Sequence, residues 1–275
     1  MRSYLAAAIQ MTSIPDLASN LQQAEEWIDF AVRQGCELVT LPENFAFMGP
    51  EAEKARLAPE IAERAEEFLS KMAQRYQVFI LGGGYPVPDG QGKVYNTAAL
   101  YSPDGKELAR YRKIHLFDVN LPDGNTYRES NTVVSGDEVV TCEQEQLGNL
   151  GLSVCYDVRF PELYRSLVDR GAQILLIPAA FTAYTGRDHW QVLLQCRAIE
   201  NTCYVIAPAQ VGTHYERRQC HGHAMIVDPW GTILADAGGE KPGVAIAEIN
   251  PERFQLVRRQ MPSLQHRRLA CTVTR

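Results

Sequence analysis

Gly151 Leu152 Ser153 Val154 Cys155 Tyr156 Asp157 Val158 Arg159 Phe160 Pro161 Glu162 is the stretch from which the fold is read. Leu152 to Val154 form a short apolar, β-prone run. Leu163, Leu167 and Val168 then fall at the spacing of a helix face. Cys155 therefore stands where a buried strand gives way to a helix. Open α/β sheets covered by helices place their ligands at such strand ends, so a thiol held there is a candidate nucleophile. The competing reading is structural, because cysteine behaves as a small hydrophobe and is among the most buried residue types. Position alone favours the blander reading, and a nucleophile also needs activating groups around it.

Outward from this stretch the same alternation recurs. Tyr4 to Gln10 reads as a strand, and Asn20 caps a helix whose face is Leu21, Ala24, Trp27, Ile28 and Ala31, stopped by Gly35. Glu37 to Leu41 is the next strand, and Pro42 ends it, leaving Glu43 just past a strand end as Cys155 is. A helix from Pro59 to Tyr76 and a strand from Val78 to Leu81 follow, closing on Gly82 Gly83 Gly84. No helix follows these glycines, so they serve close backbone packing rather than a phosphate cradle. Strands from Asn96 to Tyr101 and Glu107 to Arg112, joined by Ser102 Pro103 Asp104 Gly105, make an antiparallel hairpin that ends at Lys113.

Ile114 to Asp137 lacks periodicity yet holds His115, Phe117, Tyr127 and Glu129, and long irregular segments of this kind are commonly functional. Beyond Cys155 come a strand at Ile174 to Ile177, a helix from His189 to Glu200 capped by Asp188, and a strand at Cys203 to Ala207. Antiparallel strands at Met225 to Asp228, Ile233 to Ala235 and Val244 to Ile249 close the chain. Two such halves bury most surface by stacking sheet on sheet. The expected fold is α/β, a four-layer αββα sandwich of two mixed β-sheets flanked by helices. No linker-like stretch interrupts it, so one domain is expected over residues 1–275.

With 275 residues and 45% hydrophobic content the chain can bury a large core. A net charge of -6 provides no basic field for nucleic acid. No run approaches the ~18 apolar residues of a membrane span. A small-molecule partner is the default, and the amino terminus resembles a first strand more than a signal peptide. The 7 cysteines, odd in number and without paired spacing, read as reduced thiols of a cytoplasmic protein.

Three chemistries fit a thiol at a strand end. Cys–His catalysis finds no partner motif around His115, His189, His214, His221, His223 or His266. Cys220, His221 and His223 are metal ligands by type, but neighbours on a strand point to opposite faces and no second cluster completes a site, so no metal is expected. A redox sensor, the non-enzyme alternative, needs a low thiol pKa and a resolving cysteine, for which Cys142 and Cys196 are the only vague candidates. A third arrangement lets Glu43 take the thiol proton while a desolvated Lys113 stabilises the oxyanion formed when Cys155 attacks an amide carbonyl. Taken singly, Glu43 reads as a solvated loop residue and Lys113 as the end of a basic run.

Leu41 Pro42 Glu43, Tyr111 Arg112 Lys113 and Val154 Cys155 Tyr156 Asp157 resemble, in order and separation, the motifs that carry the Glu–Lys–Cys triad of the nitrilase, or carbon–nitrogen hydrolase, superfamily. The resemblance runs nearly end to end. It implies an αββα sandwich, a homodimer or higher homo-oligomer formed through the helices, and catalysis without a cofactor. It further implies that Glu129 orients Lys113 and contacts the leaving amine, although its bland reading is a solvated carboxylate. The amide of Tyr156 would share the oxyanion with Lys113, while Asp157 and Glu162 would hold the elbow and the start of its helix.

The residues after the nucleophile sort the branches. True nitrilases typically carry a Trp Glu pair there, whereas Tyr156 Asp157 Val158 Arg159 Phe160 Pro161 Glu162 is similar to the amidases of deaminated glutathione and to omega-amidases. Pro161, the loop Ala209 Gln210 Val211 Gly212 with His214 and Glu216, and Gln265 His266 Arg267 Arg268 lean to the first of these. The implied reaction is hydrolysis of the amide of deaminated glutathione to 2-oxoglutarate and cysteinylglycine through a thioester. The alternative is omega-amidase action on 2-oxoglutaramate, which forms the same acyl-enzyme. Arg159 or Arg128 would clamp the substrate carboxylate in a bidentate pair, with Arg159 equally suited to a buried structural ion pair. Phe181, Thr182, Tyr184 and Thr185 would line the pocket.

Overall fold

The computed structural model describes residues 1–269 apart from Asp123 and Arg217. Its first half runs β1 (Tyr4–Met11), α1 (Leu17–Arg33), β2 (Cys36–Thr40), α2 (Glu51–Tyr76), β3 (Phe79–Pro88), β4 (Val94–Tyr101), β5 (Glu107–Arg112), β6 (Asp118–Asn120) and β7 (Thr126–Arg128). Next come β8 (Thr141–Gln144), β9 (Gly148–Leu152), α3 (Pro161–Asp169), β10 (Ile174–Leu176), α4 (Ala183–Asn201), β11 (Tyr204–Ala207) and β12 (Ala209–Thr213). The chain closes with β13 (Gln219–His221), β14 (Met225–Val227), β15 (Ile233–Asp236), β16 (Gly243–Ile249) and α5 (Pro251–Gln260).

One sheet has the order β13-β12-β1-β2-β3-β4-β5, with β16 also on β1; the second has the order β15-β14-β11-β10-β9-β8. Each is mixed: β1, β2 and β3 are parallel and β3, β4 and β5 antiparallel, while β9, β10 and β11 are parallel with antiparallel strands outside them. Strand alternation then builds the layers. Ala6, Ala8, Leu38, Leu81 and Leu100 pack against Leu150, Leu152, Ile174, Leu176 and Ile206 of the second sheet. Their neighbours Ala7, Ile9, Val39, Ile80 and Ala99 point the other way, against Ala24 and Ile28 of α1 and Ile61, Ala65 and Leu69 of α2. Leu163, Leu167, Trp190 and Leu194 of α3 and α4 cover the far face of the second sheet. The result is the expected four-layer sandwich.

Several boundaries differ from the sequence reading, each for a local reason. Asp16, not Asn20, caps α1, its Oδ1 accepting from Ser19 N at 2.7 Å. Asn20 is buried within the helix and ties Ile14 and Ala46 together through three hydrogen bonds. Helix α2 begins at Glu51 and carries Pro59 in its interior, because the buried face continued by Lys54 and Ala58 outweighs the missing proline N–H. Helix α4 starts at Ala183, six residues before the expected start, with Thr182 at its N-cap. Ala209 to Thr213, read as a loop, is a strand paired with β1 and β13. The irregular segment after Ile114 contains the β6–β7 hairpin, and α5, capped by Asn250, was not anticipated.

Candidate active site

Glu43, Lys113 and Cys155 lie beyond the ends of β2, β5 and β9 and converge between the two sheets. Two of the turns that deliver them are strained. Cys155 has φ 50° and Asn44 has φ 60°, left-handed values that non-glycine residues seldom adopt and that concentrate at functional sites. The Cys155 elbow is pinned by its own N–H, which donates to Pro178 O at 2.9 Å. Asp157, fully buried, accepts from Val154 N (2.8 Å), Tyr111 Oη (2.7 Å) and His115 N (3.1 Å), and His115 Nδ1 lies 2.7 Å from it. His115 thus serves the elbow. No histidine lines the cleft among the described residues.

Lys113 Nζ lies 3.2 Å from Glu43 Oε1 and 3.0 and 2.8 Å from the two oxygens of Glu129. The other Glu43 oxygen accepts from Ala180 N at 2.8 Å, and the same carboxylate acts electrostatically on the Cys155 thiol. Phe117 N donates to Glu129 Oε2 at 2.6 Å, so the irregular segment fixes the second glutamate. Burial acts against the Glu43 charge, but the Lys113 ammonium, the Cys155 thiol and the hydrogen bonds from Ala180 and Asn96 hold the carboxyl well below its usual range. Burial likewise acts against the Lys113 charge, and Glu129 and Glu43 overcome it, holding the ammonium well above its usual range. For Cys155, burial and then the Glu43 charge push the thiol well up, against the pull of Lys113. The resting constellation is therefore carboxylate, ammonium and neutral thiol. It is suited to proton transfer from sulfur to Glu43 as a bond forms, and it is the reverse of the low thiol pKa that a redox sensor requires.

A cavity of about 240 Å³ opens over these groups. Of the residues expected there, Glu43, Lys113, Cys155, Glu129, Tyr156, Arg128, Phe181, Thr182 and Thr185 line it. Arg159 and Tyr184 are not among its lining residues. The Arg159 guanidinium lies 5.2 Å from the Phe181 ring centre and 5.9 Å from that of Tyr156, and its Nη1 is 3.3 Å from His189 Nδ1. It lies against the two rings, within electrostatic reach of Cys155, and no carboxylate ion pair to it is found among the described residues. Tyr184 lines an adjoining outer hollow of about 660 Å³.

Sequence reading missed Asn96, whose Nδ2 donates to Glu43 Oε1 at 2.8 Å and to Glu129 Oε1 at 3.2 Å, bridging the two carboxylates. The available signal was the glycine run opposite it. A Cβ on Gly84 (φ +63°) would meet Glu43 Cγ at 2.7 Å and Asn96 Oδ1 at 2.8 Å, and one on Gly83 would meet Leu41 O and Pro178 Cβ, each at 2.3 Å. Glu51, Lys54, Tyr215 and Arg218 also line the cleft and carried no local motif.

A four-layer sandwich with a thiol, a carboxylate and an ammonium meeting between its sheets is the frame of a carbon–nitrogen bond hydrolase. The chain belongs to the carbon-nitrogen hydrolase family, whose model matches residues 5–259. It is 68% identical to a deaminated glutathione amidase of Synechocystis sp., over 97% of this chain and 99% of that one. The crystal structure of the Caenorhabditis elegans NitFhit protein superposes with a TM-score of 0.91 at 39% identity, covering 98% of this chain and 66% of that one. Saccharomyces cerevisiae Nit3, a member of branch 10 of the nitrilase superfamily, superposes at 0.85 and 30% identity over 95% of each chain.

Proposed function

We propose that this chain hydrolyses the amide bond of deaminated glutathione, releasing 2-oxoglutarate and cysteinylglycine, with Cys155 as nucleophile. The observation that carries the substrate is the 68% identity, along nearly the whole of both chains, to a deaminated glutathione amidase. The site geometry supports the chemistry. Cys155 Sγ attacks the amide carbonyl while its proton passes to Glu43. The oxyanion so formed is held by Lys113 Nζ and the backbone N–H of Tyr156. Glu43 returns the proton to the departing amine nitrogen, with Glu129 holding Lys113 and facing that amine. Water, activated by Glu43, then opens the 2-oxoglutaryl thioester and restores the thiol. Phe181, Thr182 and Thr185 shape the acyl pocket, and Tyr184 borders the outer hollow through which the dipeptide departs.

The same reading makes the protein a single-domain, cytoplasmic homo-oligomer. Its six described cysteines are free thiols, and Val192 and Ile199, one heptad apart on α4, are exposed, as is Trp230. No described helix is long and apolar enough to cross a membrane.

The deciding measurement is kcat/KM for deaminated glutathione and 2-oxoglutaramate side by side, with a simple nitrile and an N-carbamoyl amino acid as outgroups. Deaminated glutathione is expected to lead by at least roughly tenfold, about 1.4 kcal/mol of transition-state binding. A lead for 2-oxoglutaramate assigns the protein to the omega-amidases. Turnover of an outgroup alone overturns the amidase reading of the residues after Cys155.

A further inference from the structure

The cleft contains a cation that the chemistry above leaves unused. Arg218, on the approach to β13, lines the cleft with its side chain 17% exposed. Its Nε is buried and has no hydrogen-bond partner among the described residues. The nearest carboxylate, Glu51 Oε1, stands 3.6 Å from Nη1, too far for a hydrogen bond. Glu51 is matched more closely by Lys54, whose Nζ is 2.7 Å from its Oε2. Lys113 in turn faces Glu43 and Glu129. The two lysines of the cleft are thus paired with carboxylates, while Arg218 keeps an unused donor beside the Tyr127 ring, 5.6 Å away. A buried guanidinium with a missing partner is costly unless an anion completes it.

Two other arginines stand near the cleft. Arg128 lines the cleft, but its Nη1 donates to Val119 O (3.1 Å) and Tyr127 O (2.7 Å) and its Nη2 to Asn120 Oδ1 (2.7 Å), which leaves its fork occupied. Arg159 lies over the Tyr156 and Phe181 rings with its Nη1 3.3 Å from His189 Nδ1, and it is not among the residues lining the cleft. Arg218 also lines the outer hollow and so sits where the two spaces join.

We infer that Arg218 binds a carboxylate of the substrate through the edge that carries Nε, and that it is the specificity-determining cation of the cleft. The inference rests on the function proposed above, in which the substrate carries a carboxylate at each end, one on the 2-oxo acid and one on the dipeptide. The recognition chemistry is the same for both. Planar, bidentate pairing with arginine is what a lysine at this place would not reproduce.

The test is steady-state kinetics of wild type, Arg218→Gln and Arg218→Lys on deaminated glutathione and on 2-oxoglutaramate, which carries only the 2-oxo carboxylate. It is joined by calorimetric titration of 2-oxoglutarate and of cysteinylglycine into the Cys155→Ala protein with and without Arg218→Gln. The expected result is a KM raised about thirtyfold in Arg218→Gln, with a much smaller change in kcat and an intermediate value for Arg218→Lys. A rise on both substrates, with weakened 2-oxoglutarate binding, places the 2-oxo acid at Arg218. A rise on deaminated glutathione alone, with weakened cysteinylglycine binding, places the dipeptide there. Unchanged KM on both substrates, or a fall in kcat alone, overturns the assignment while leaving the function standing. Wild type inert on both substrates overturns the function itself and this assignment with it. Should Arg218→Gln fail to fold, Arg218→Lys supplies the same comparison, and KM equal to wild type in it overturns the bidentate role.

Discussion

The backbone N–H of Ala180 donates to Glu43 Oε2 at 2.8 Å, joining residues 137 positions apart in the chain. The opposite oxygen of Glu43 also faces only donors, from Asn96 and Lys113. The carboxylate is thus held as an acceptor on both sides, and a glutamine in its place must turn its NH2 towards one of these donors.

Glu43→Gln is therefore expected to lower kcat by three orders of magnitude or more, about 4 kcal/mol of lost transition-state stabilisation, with the protein still folded. Iodoacetamide labelling of Cys155, followed by peptide mass spectrometry, provides a substrate-free check. Labelling is expected to be faster in Glu43→Gln, since the carboxylate charge that pushes the thiol up is gone while the Lys113 ammonium remains, and equal rates would show that Glu43 does not act on the thiol.

The same constellation sets a pH dependence of stability. The Glu43 carboxyl is depressed below its ordinary value of 4.5, so its contribution is present above that pH and is lost as pH falls below it. The Cys155 thiol is raised above its ordinary 9.0, so its contribution is present below that pH and is lost as pH rises beyond it. Tm is expected to be flat from about pH 6.5 to 9 and to fall on either side, His214 and His221, each held by burial down to about 4, adding to the acid limb. Scanning calorimetry should find a shallower acid limb in Glu43→Gln and a shallower alkaline limb in Cys155→Ala; limbs identical to wild type would refute the assignment.

Asn96→Ala removes the bridge between Glu43 and Glu129 and leaves two carboxylates facing each other across Lys113. Its expected effect is a ten- to hundredfold loss in kcat, about 1.4–2.7 kcal/mol, with KM little changed. A variant as active as wild type would show that Lys113 alone orders the pair.

Asp157→Ala strips the elbow of the acceptor shared by Val154, Tyr111 and His115. Leaving those donors buried and unpaired is expected to destabilise the fold by about 3 kcal/mol, read as a lower urea midpoint at unchanged slope. A midpoint within error of wild type would mean that water replaces the carboxylate.

In solution the particle mass is expected to be at least twice the 30.8 kDa of one chain, measured by light scattering after gel filtration. Ile199→Glu, on the exposed face of α4, is expected to shift that mass towards the monomer. A monomeric wild type would set the oligomer proposal aside.

What the sequence made legible followed from periodicity and from motif resemblance. The alternation of Ala6 with Ala7 and of Leu38 with Val39 is a period-two signal that sorts side chains between two cores, and it was enough to place the layers. Position after a strand was only a weak pointer to Glu43, Lys113 and Cys155; what singled them out was the resemblance of three motifs in order and separation to one family, which also pointed to Glu129. Asn96 and Arg218 were not legible, since each acts through a partner distant in sequence and neither interrupts a local pattern. Helix starts were misread where a buried face overrode the signal used: Pro59 suggested a beginning that α2 had already passed, and Asp188 a start that falls inside α4, whose N-cap position is Thr182.

Glu43 leaves the first sheet at one edge of the cleft, Cys155 leaves the second at the other, and the Ala180 amide spans the gap. The reacting distance is therefore a measure of how the two sheets are registered on one another. A substitution deep between the layers, such as Leu38→Ala or Leu176→Ala, need not unfold the protein to slow it; a slip of about an ångström between Cys155 and Glu43 is enough to cost roughly a hundredfold in rate. Catalytic rate is in this fold a finer gauge of sheet registry than any melting temperature.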